Sequence, residues 1–404
     1  MNIYIILNHG LVDVGGGQLY VSSKKRYMEE LGYRVLIFSF AKGEIVIPNL
    51  KVYKKDIIPE LQIYPMYFRT KAQQKIVSLM SKGISPNDNV FIESNSVTLS
   101  LWGELLAKRL NAKHIIYNLN ENIHVTSSLF NFFSFKLNRK EIAGISTHSI
   151  PNFFKDYIDG ISGEETCLKA HHDYQQVADI DYDIPKELYD KSRINVCICG
   201  RLVKAFVSKA VEKFAEYALN HSEMEYNLVI IGDDEYHTNF KTRFKCQFEK
   251  IKNVNCFMVG FMYPIPRKLL RIMNYGISSA GAVTVLSREG IKTLSIDCND
   301  LLPIGIRGIT TVNNLYRETE TAYDYKYWFD KLFLTKEFEN IQIELPPLVK
   351  DNYKKLSEHT DFLVRSASVK EYFTDFGKVS IYKKIVVALF GFKSYYFLYT
   401  LLNK

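Results

Sequence analysis

The chain has 404 residues, a net charge of +8 and a pI near 8.9, and at ~150 residues per domain it is long enough for two or three domains. An apolar content of 47% with 24% charged residues excludes a disordered chain. The basic balance favours anionic partners such as phosphates, nucleotides or an acidic membrane surface, while six cysteines with no C-x-x-C pair and no histidine at ligand spacing point to a reducing, cytosolic setting rather than a metal site.

Met1 to Leu7 is apolar but has no basic flank or cleavage site, so Ile3 to Leu7 reads as a buried first strand. A loop from Asn8 to Gly17 follows, then a helix carrying Leu19, Tyr27, Met28 and Leu31. Gly32 stops that helix, and a second strand runs from Arg34 to Phe40. Gly15, Gly16 and Gly17 sit where loop becomes helix, so backbone amides can face an anion or a sugar with no side chain in the way. A dinucleotide fingerprint would need a third glycine where this chain has Tyr20, and an acid where it has Ser39-Phe40-Ala41-Lys42. No Walker lysine follows either. Further strands are expected at Val90–Glu93, Lys113–Tyr117 and Glu141–Ser149, with a helix at Ser100–Leu110. This alternation predicts a mostly parallel sheet. Asn118, Asn120 and Glu121 then fall on the same rim as the glycine loop. The segment Leu129, Phe130, Phe132, Phe133 and Phe135, with Lys136, Arg139 and Lys140 beside it, has two readings: rings packed into the first domain, or a basic aromatic surface lying in a membrane interface.

Asp179, Asp181 and Asp183 alternate before Pro185 and read as a solvated linker rather than a metal-binding D-x-D. The second half repeats the first. Ile194–Cys199 is an apolar strand, Gly200-Arg201 the turn after it, and Val207, Val211, Phe214, Ala215, Ala218 and Leu219 mark one face of a helix. A strand ending at Gly232-Asp233, a helix over Asn239–Ile251 and a strand over Val254–Met258 follow. Loops after parallel strands share one rim, where open α/β sheets bind ligands. Gly200, Arg201 and nearby Lys204 and Lys209 suit a diphosphate, because arginine forks onto phosphate oxygens and lysine adds a point charge. Gly305, Gly308, Thr310, Thr311 and Asn313 form a polar loop proposed to help hold the same ligand.

These residues carry a resemblance. The stretches GGGQLYVSSKKRYMEELGYRVLIFS, CICGRLVKAFVSKAVEKFAEYA, LVIIGDD and VNCFMVGFMYPIPRKLLRIMNYGISSAG resemble the GT-B glycosyltransferases, family 4 type, over most of the chain. The resemblance implies two Rossmann-like, doubly wound α/β domains facing a central cleft. It places Gly16 and Gly17 at donor phosphate and acceptor, and Gly200 with Arg201 at the leaving diphosphate of a nucleotide sugar. The family lysine falls on Phe206, leaving Lys204 and Lys209 as candidates. The two family glutamates fall on Ile277 and Val285, so Glu289 is the nearby carboxylate candidate. The family histidine is replaced by Asn118 or Asn120.

The expected domains are 1–183 on the acceptor side, 184–365 binding the nucleotide sugar through residues that include Gly232 and Asp233, and a basic aromatic helical segment over 366–404. In that last segment Ile385, Leu389, Phe392, Tyr396, Tyr399 and Leu402 recur at helical spacing among lysines. It either packs back on the first domain or lies at a lipid surface, and with the phenylalanine segment the second reading is preferred. The expectation is a glycosyltransferase, cytoplasmic or peripheral at the inner face of the membrane, of hexosyl type and retaining by resemblance. It would move sugar from a nucleotide-diphosphate-sugar to a lipid-linked or glycan acceptor in surface polysaccharide synthesis, with no metal, no other cofactor and no nucleic-acid partner. A non-catalytic GT-B-like binding protein and a sugar-nucleotide epimerase of the same fold are the alternatives.

Overall fold

The computed structural model describes residues 1–9, 11, 15–40, 45, 47, 49–50, 57–121, 123–171, 176–233, 239–347, 352–366, 370–376, 382–389, 391 and 395. Of the features read from the sequence, Ala41, Lys42, Phe392, Tyr396, Tyr399 and Leu402 lie outside them. Two compact units form: Met1–Asp173 with Val349–Lys404, and Tyr174–Leu348. The expected boundary at 183/184 therefore falls inside the second unit, and residues 352–365, expected in the second domain, belong to the first.

The first unit is built on β1 (Asn2–Leu7), α1 (Gly16–Glu30), β2 (Arg34–Phe38), α2 (Thr70–Met80), β3 (Asn89–Ser94), α3 (Val97–Leu110), β4 (Lys113–Asn118), α4 (Phe130–Asn138) and β5 (Ile142–Gly144). Two short helices, α5 (Ser149–Phe154) and α6 (Gly163–Thr166), follow. All pairings are parallel in the order β2-β1-β3-β4-β5. Both faces of the sheet are buried, as an all-parallel sheet requires. Ile3, Ile5 and Leu7 pack with Ile92, Trp102 and Leu106 on one side, while alternate residues such as Tyr4 face the other. Against that second face α1 buries Tyr20, Lys24 and Met28, one residue per turn, and leaves the predicted face residue Leu31 exposed. The strand expected over Glu141–Ser149 is only Ile142–Gly144, because α5 begins at Ser149.

The second unit contains β6 (Val177–Ala178), β7 (Ile194–Cys199), α7 (Ala205–Asn220), β8 (Tyr226–Ile231), α8 (Asn239–Phe248), β9 (Val254–Gly260), β10 (Ile265–Pro266), α9 (Arg267–Leu270), β11 (Tyr275–Ser278), α10 (Gly281–Arg288), β12 (Lys292–Ile296), β13 (Pro303–Ile306) and α11 (Tyr325–Phe329). Its main sheet runs β13-β12-β11-β7-β8-β9, parallel except for β13 at the edge. Val196, Ile198, Leu228 and Ile230 pack under α7, α8 and α11. Cys197, Cys199, Val229 and Ile231 pack on the opposite face under α9 and α10. The two cysteines are thus small core side chains, and burial pushes the Cys199 thiol up to about 12. Asp179 and Asp181 pair with Arg267 and Lys268 at 3.6 and 2.7 Å, so the acidic run is tied to α9.

The chain then returns to the first unit through α12 (Ser357–Arg365) and the stretch 370–376. Phe373 and Phe376 pack in tilted and edge-to-face contacts, with ring centres 5.4–5.7 Å apart, against Phe132, Phe135 and each other. Leu129, Phe132 and Phe133 are buried, so this part of the aromatic segment is core, contrary to the preferred interfacial reading. Among the described residues no helix is long and apolar enough to cross a membrane.

Beneath these rings lies a buried charge network. The Lys136 ammonium sits 2.6 Å from Glu104 and 3.0 Å from Glu141, His114 Nδ1 is 2.7 Å from Glu104, and the Phe373 N–H donates to the other Glu104 oxygen at 2.8 Å. Burial raises the Glu104 carboxyl, but the His114 hydrogen bond and the Lys136 charge outweigh it and hold the group down at about 2. An unfolded glutamate titrates near about 4.3. A depressed carboxylate stabilises the fold above its unfolded value, and that stabilisation disappears as pH falls through the folded one. Acid denaturation should therefore remove on the order of 3 kcal/mol between pH about 4.5 and about 2 through this group. Glu104→Gln is expected to be less stable at pH 7 and to show a shallower stability loss over that window, read by denaturant unfolding at each pH.

Candidate functional site

In both sheets the strand order reverses direction at one point, and loops after the flanking strands open a crevice there. In the second unit the reversal lies between β7 and β11. Gly200 and Arg201 follow β7, Ser279 to Gly281 follow β11, and Asp297 to Asn299 follow β12. The N-termini of α7 and α10 both begin at this rim. Neither has a side-chain cap nor an acidic residue in its first turn, so their first amides are left for a ligand or water. Lys204 occupies the position before α7, and no carboxylate pairs with it among the described residues. Partial desolvation and then the like charge of Arg201 lower its ammonium, with nearby Cys298 acting the other way.

The strand ends are drawn tightly together. Gly200 N–H donates to the Ile231 carbonyl at 3.0 Å, and Gly232 N–H to the Gly260 carbonyl at 2.8 Å. A Cβ on Gly232 would lie 1.9 Å from the Gly200 carbonyl oxygen. Glycine is required there by contact with the neighbouring turn. Asp233, next along, accepts from Lys241 at 2.6 Å.

Two of the expected residues lie elsewhere. Glu289 is the residue after α10, paired with Arg267 at 3.5 Å. Since α10 starts at the rim, its eight residues carry Glu289 roughly 12 Å away toward the opposite edge. Ile277 is in the core of β11 and Val285 in that of α10, so neither family glutamate position presents a side chain to the rim. Lys209 lies within α7 and is held by Glu212 at 2.9 Å. The polar loop also departs from expectation. Because β13 runs antiparallel to β12, its C-terminal end returns to the far edge, where Arg307 N–H donates to the Thr293 carbonyl at 3.0 Å. Gly308, Thr310 and Thr311 therefore start on the wrong side. Their polar groups are used locally: the Thr310 hydroxyl accepts the Ile306 N–H at 2.8 Å, while Thr311 and Asn313 both donate to Glu320.

The loop reaches the ligand rim one residue later, at a position sequence reasoning did not select. Asn314 accepts the Ala280 N–H at its carbonyl, and its amide donates to the Ala280 carbonyl at 3.0 Å and to Thr284 Oγ1 at 3.1 Å. This clamp holds Ala280 at φ 57°, ψ −136°, a conformation that disfavours any residue with a Cβ. Cys298 N–H and Arg317 N–H tie the same strap to β12.

In the first unit the reversal lies between β1 and β3. Asn8 and Asn95 follow these strands, with the Asn8 amide donating to Asn95 Oδ1 at 3.2 Å. Asn95 in turn donates to Glu93 at 2.9 Å. Glu93 is fully buried and also accepts from the Tyr4 and Tyr20 hydroxyls at 2.7 and 2.8 Å, with Lys24 at 3.7 Å. Burial lowers the Lys24 ammonium to about 8, against the pull of Glu93. His359 from α12 completes the group, with Nδ1 3.3 Å from the Tyr20 hydroxyl. The sequence signal for Lys24 was its spacing: Tyr20, Lys24 and Met28 fall one per helical turn on the buried face. Asn118 ends β4, its Oδ1 accepts the Asn120 N–H at 3.1 Å, and its buried Nδ2 has no hydrogen-bond partner among the described residues. Gly17, the second residue of α1, lies close to Leu119, which a Cβ on it would meet at 3.5 Å, whereas one on Gly16, the first residue, would meet open space. Glu121 is half-buried.

No protein-family model matches the chain, and no curated protein matches it. Solved structures do. A glycosyltransferase from Rickettsia africae aligns at 17% identity and TM-score 0.54, covering 91% of this chain and 94% of that one. HepE from Anabaena, solved in complex with UDP and glucose, aligns at 12% identity and TM-score 0.52, covering 90% and 96%. The UDP-GlcNAc 2-epimerase of Neisseria meningitidis covers 96% and 99% at 10% identity, but its TM-score of 0.41 carries no argument. The two alignments at TM-scores of 0.52 and 0.54 show a shared fold and nothing finer: the chain has the α/β fold of the GT-B enzymes.

Two substitutions at the second-unit rim should move stability in opposite directions. Ala280→Gly relieves the positive φ and is expected to stabilise by about 1 kcal/mol. Gly232→Ala forces the two turns apart and should cost about 3 kcal/mol. Thermal unfolding of both variants checks the clamp and the close approach together.

Proposed function

We propose that this chain is a glycosyltransferase that moves a sugar from a nucleotide-diphosphate-sugar to a glycan or lipid-linked acceptor, in surface polysaccharide synthesis. One observation carries the reading: two uncapped helix N-termini meet Gly200, Arg201 and Lys204 at the reversal point of the second sheet. When the bond from the anomeric carbon to phosphate breaks, negative charge grows on the departing diphosphate. Cations and amides already aimed at that charge lower the barrier, each by about 3 kcal/mol. Arg201 and Lys204 take that role, with Gly200 and Gly232 giving the backbone its close approach. Asn118, Asn120 and Glu121 are proposed for the acceptor, supported by the buried Asn118 amide, which has no partner among the described residues. HepE was solved with UDP, which makes UDP the first nucleotide to test here.

A second reading, a nucleotide-sugar-binding protein without transfer activity, is favoured by one finding. Ile277 and Val285 replace the two family glutamates inside the core, and Glu289 stands away from the rim. Both readings require nucleotide binding, and only the first requires a transferred sugar in the products.

Contact with an anionic membrane is also proposed. In the helix over 382–389, Tyr382, Ile385 and Leu389 are 72%, 48% and 66% exposed beside Lys383 and Lys384. Co-sedimentation with phosphatidylserine vesicles should be lost in Ile385→Glu with Leu389→Glu, and absence of binding by the unaltered chain would remove this part of the proposal.

Thermal unfolding against UDP, GDP, dTDP and ADP tests the donor site. A nucleotide at 100 times its Kd adds about 2.7 kcal/mol to the folded state. The upward shift should appear for one nucleotide, vanish in Arg201→Ala and shrink in Lys204→Ala. It should persist in Lys209→Ala and Glu289→Gln, whose side chains are engaged elsewhere. A shift with none of the four would sink both readings.

A further inference from the structure

The first unit carries a second concave site that neither the reversal point nor the proposed donor chemistry uses. It is a cavity of about 220 Å³ lined by Gln62, Ile63, Tyr64, Tyr67, Thr98, Lys383 and Tyr395. Thr98 lies in the first turn of α3, directly after β3 and Asn95. Thr98 is thus the lining residue nearest in sequence to Asn95, three positions away.

Its walls are fixed from behind. Trp102 Nε1 donates to the Ile63 carbonyl at 2.9 Å, and Gln73 Nε2 donates to the Pro65 carbonyl at 2.7 Å. These bonds hold two short 3₁₀ turns, Pro59–Gln62 and Pro65–Tyr67, in place. The tyrosines are grouped, with Tyr67 centred 5.7 Å from Tyr64 and 5.6 Å from Tyr395. Lys383 lies 5.6 Å over the Tyr67 ring, with its ammonium 3.5 Å from the Tyr67 hydroxyl. Val386, Val387 and Tyr395 pack on Ile63 and Tyr67, so the C-terminal segment forms one wall.

This lining selects a chemical class. A lipid chain needs a uniformly apolar groove, whereas here aromatic surface alternates with an amide, a hydroxyl and an ammonium. Aromatic rings offer apolar contact to the C–H faces of a sugar, and convergent polar groups meet its hydroxyls. We infer that this tyrosine-lined cavity is a carbohydrate subsite, holding a sugar unit of the glycan acceptor on the first unit. The inference rests on the glycosyltransferase reading for the acceptor's identity as a glycan, but not for the binding chemistry.

The test is binding of the full chain to immobilised hexoses, N-acetylhexosamines and their α- and β-linked disaccharides, alongside the UDP thermal shift on the same preparation. One or more sugars should be retained. Tyr67→Ala should weaken that retention by about tenfold or more, and Thr98→Val and Lys383→Met by smaller factors. Thr98 and Lys383 are only half-buried, so these two variants keep the fold if Tyr67→Ala does not. No sugar retained while UDP still stabilises the chain overturns the subsite and leaves the donor reading standing. Retention unchanged in Thr98→Val and Lys383→Met overturns it as well, as does capture of short-chain phospholipid with no sugar bound. A sugar bound with no response to any nucleotide sustains the subsite and removes the donor reading.

Discussion

Parallel strands joined by crossover helices deliver every strand-to-helix turn to one rim of a sheet and every helix-to-strand turn to the other. In both units that rule decides which polar residues can meet a ligand. It gathers Gly200, Arg201, Gly232 and the start of α10 at one edge of the second sheet, and Asn8, Asn95 and Asn118 at one edge of the first. It also removes candidates that proximity in sequence made attractive. Glu289 is close to Gly281 along the chain, yet a whole helix separates them in space. The single antiparallel strand, β13, reverses the rule locally and carries Gly308 to Thr311 to the far edge.

Much of this was legible from periodicity. The β-α-β units around Gly15–Gly17 and Gly200-Arg201, and the buried face of α7 from Val207 to Ala218, follow from apolar spacing alone. What was not legible depended on partners distant in the chain. Glu93 reads in the sequence as an ordinary strand end, because the hydroxyls that accommodate it come from β1 and α1 and the histidine beside them from α12. The phenylalanine segment was ambiguous for the same reason: two of the rings that pack on it, Phe373 and Phe376, arrive far along the sequence. Asn314 had no signature at all, since its role is set by the backbone angle of Ala280.

Buried charge is handled in two different ways in the first unit. Around Glu104 every partner is ionic or strongly hydrogen-bonding, and the carboxylate is held charged by direct contacts. Around Glu93 the nearest cation stays at 3.7 Å and neutral tyrosine and asparagine donors do most of the solvating. Both arrangements replace lost water with directed donors, as a buried carboxylate demands. The second lies directly beneath the reversal point, so the Asn95 amide is oriented by a fixed acceptor below it. A polar floor held that way can present a defined pattern of groups upward.

Residues beyond 348 rejoin the first unit, which makes that unit discontinuous along the chain. During synthesis the ribosome must therefore release all of the second unit before His359 and Phe373 exist to finish the first. Until then the emerging sheet carries Glu104 without its backbone donor, Tyr20 without its histidine, and Phe132 without its covering rings. The last part to be translated thus acts as the latch on the part translated first, and a chain stopped before it would hold an open, sticky face in the cell.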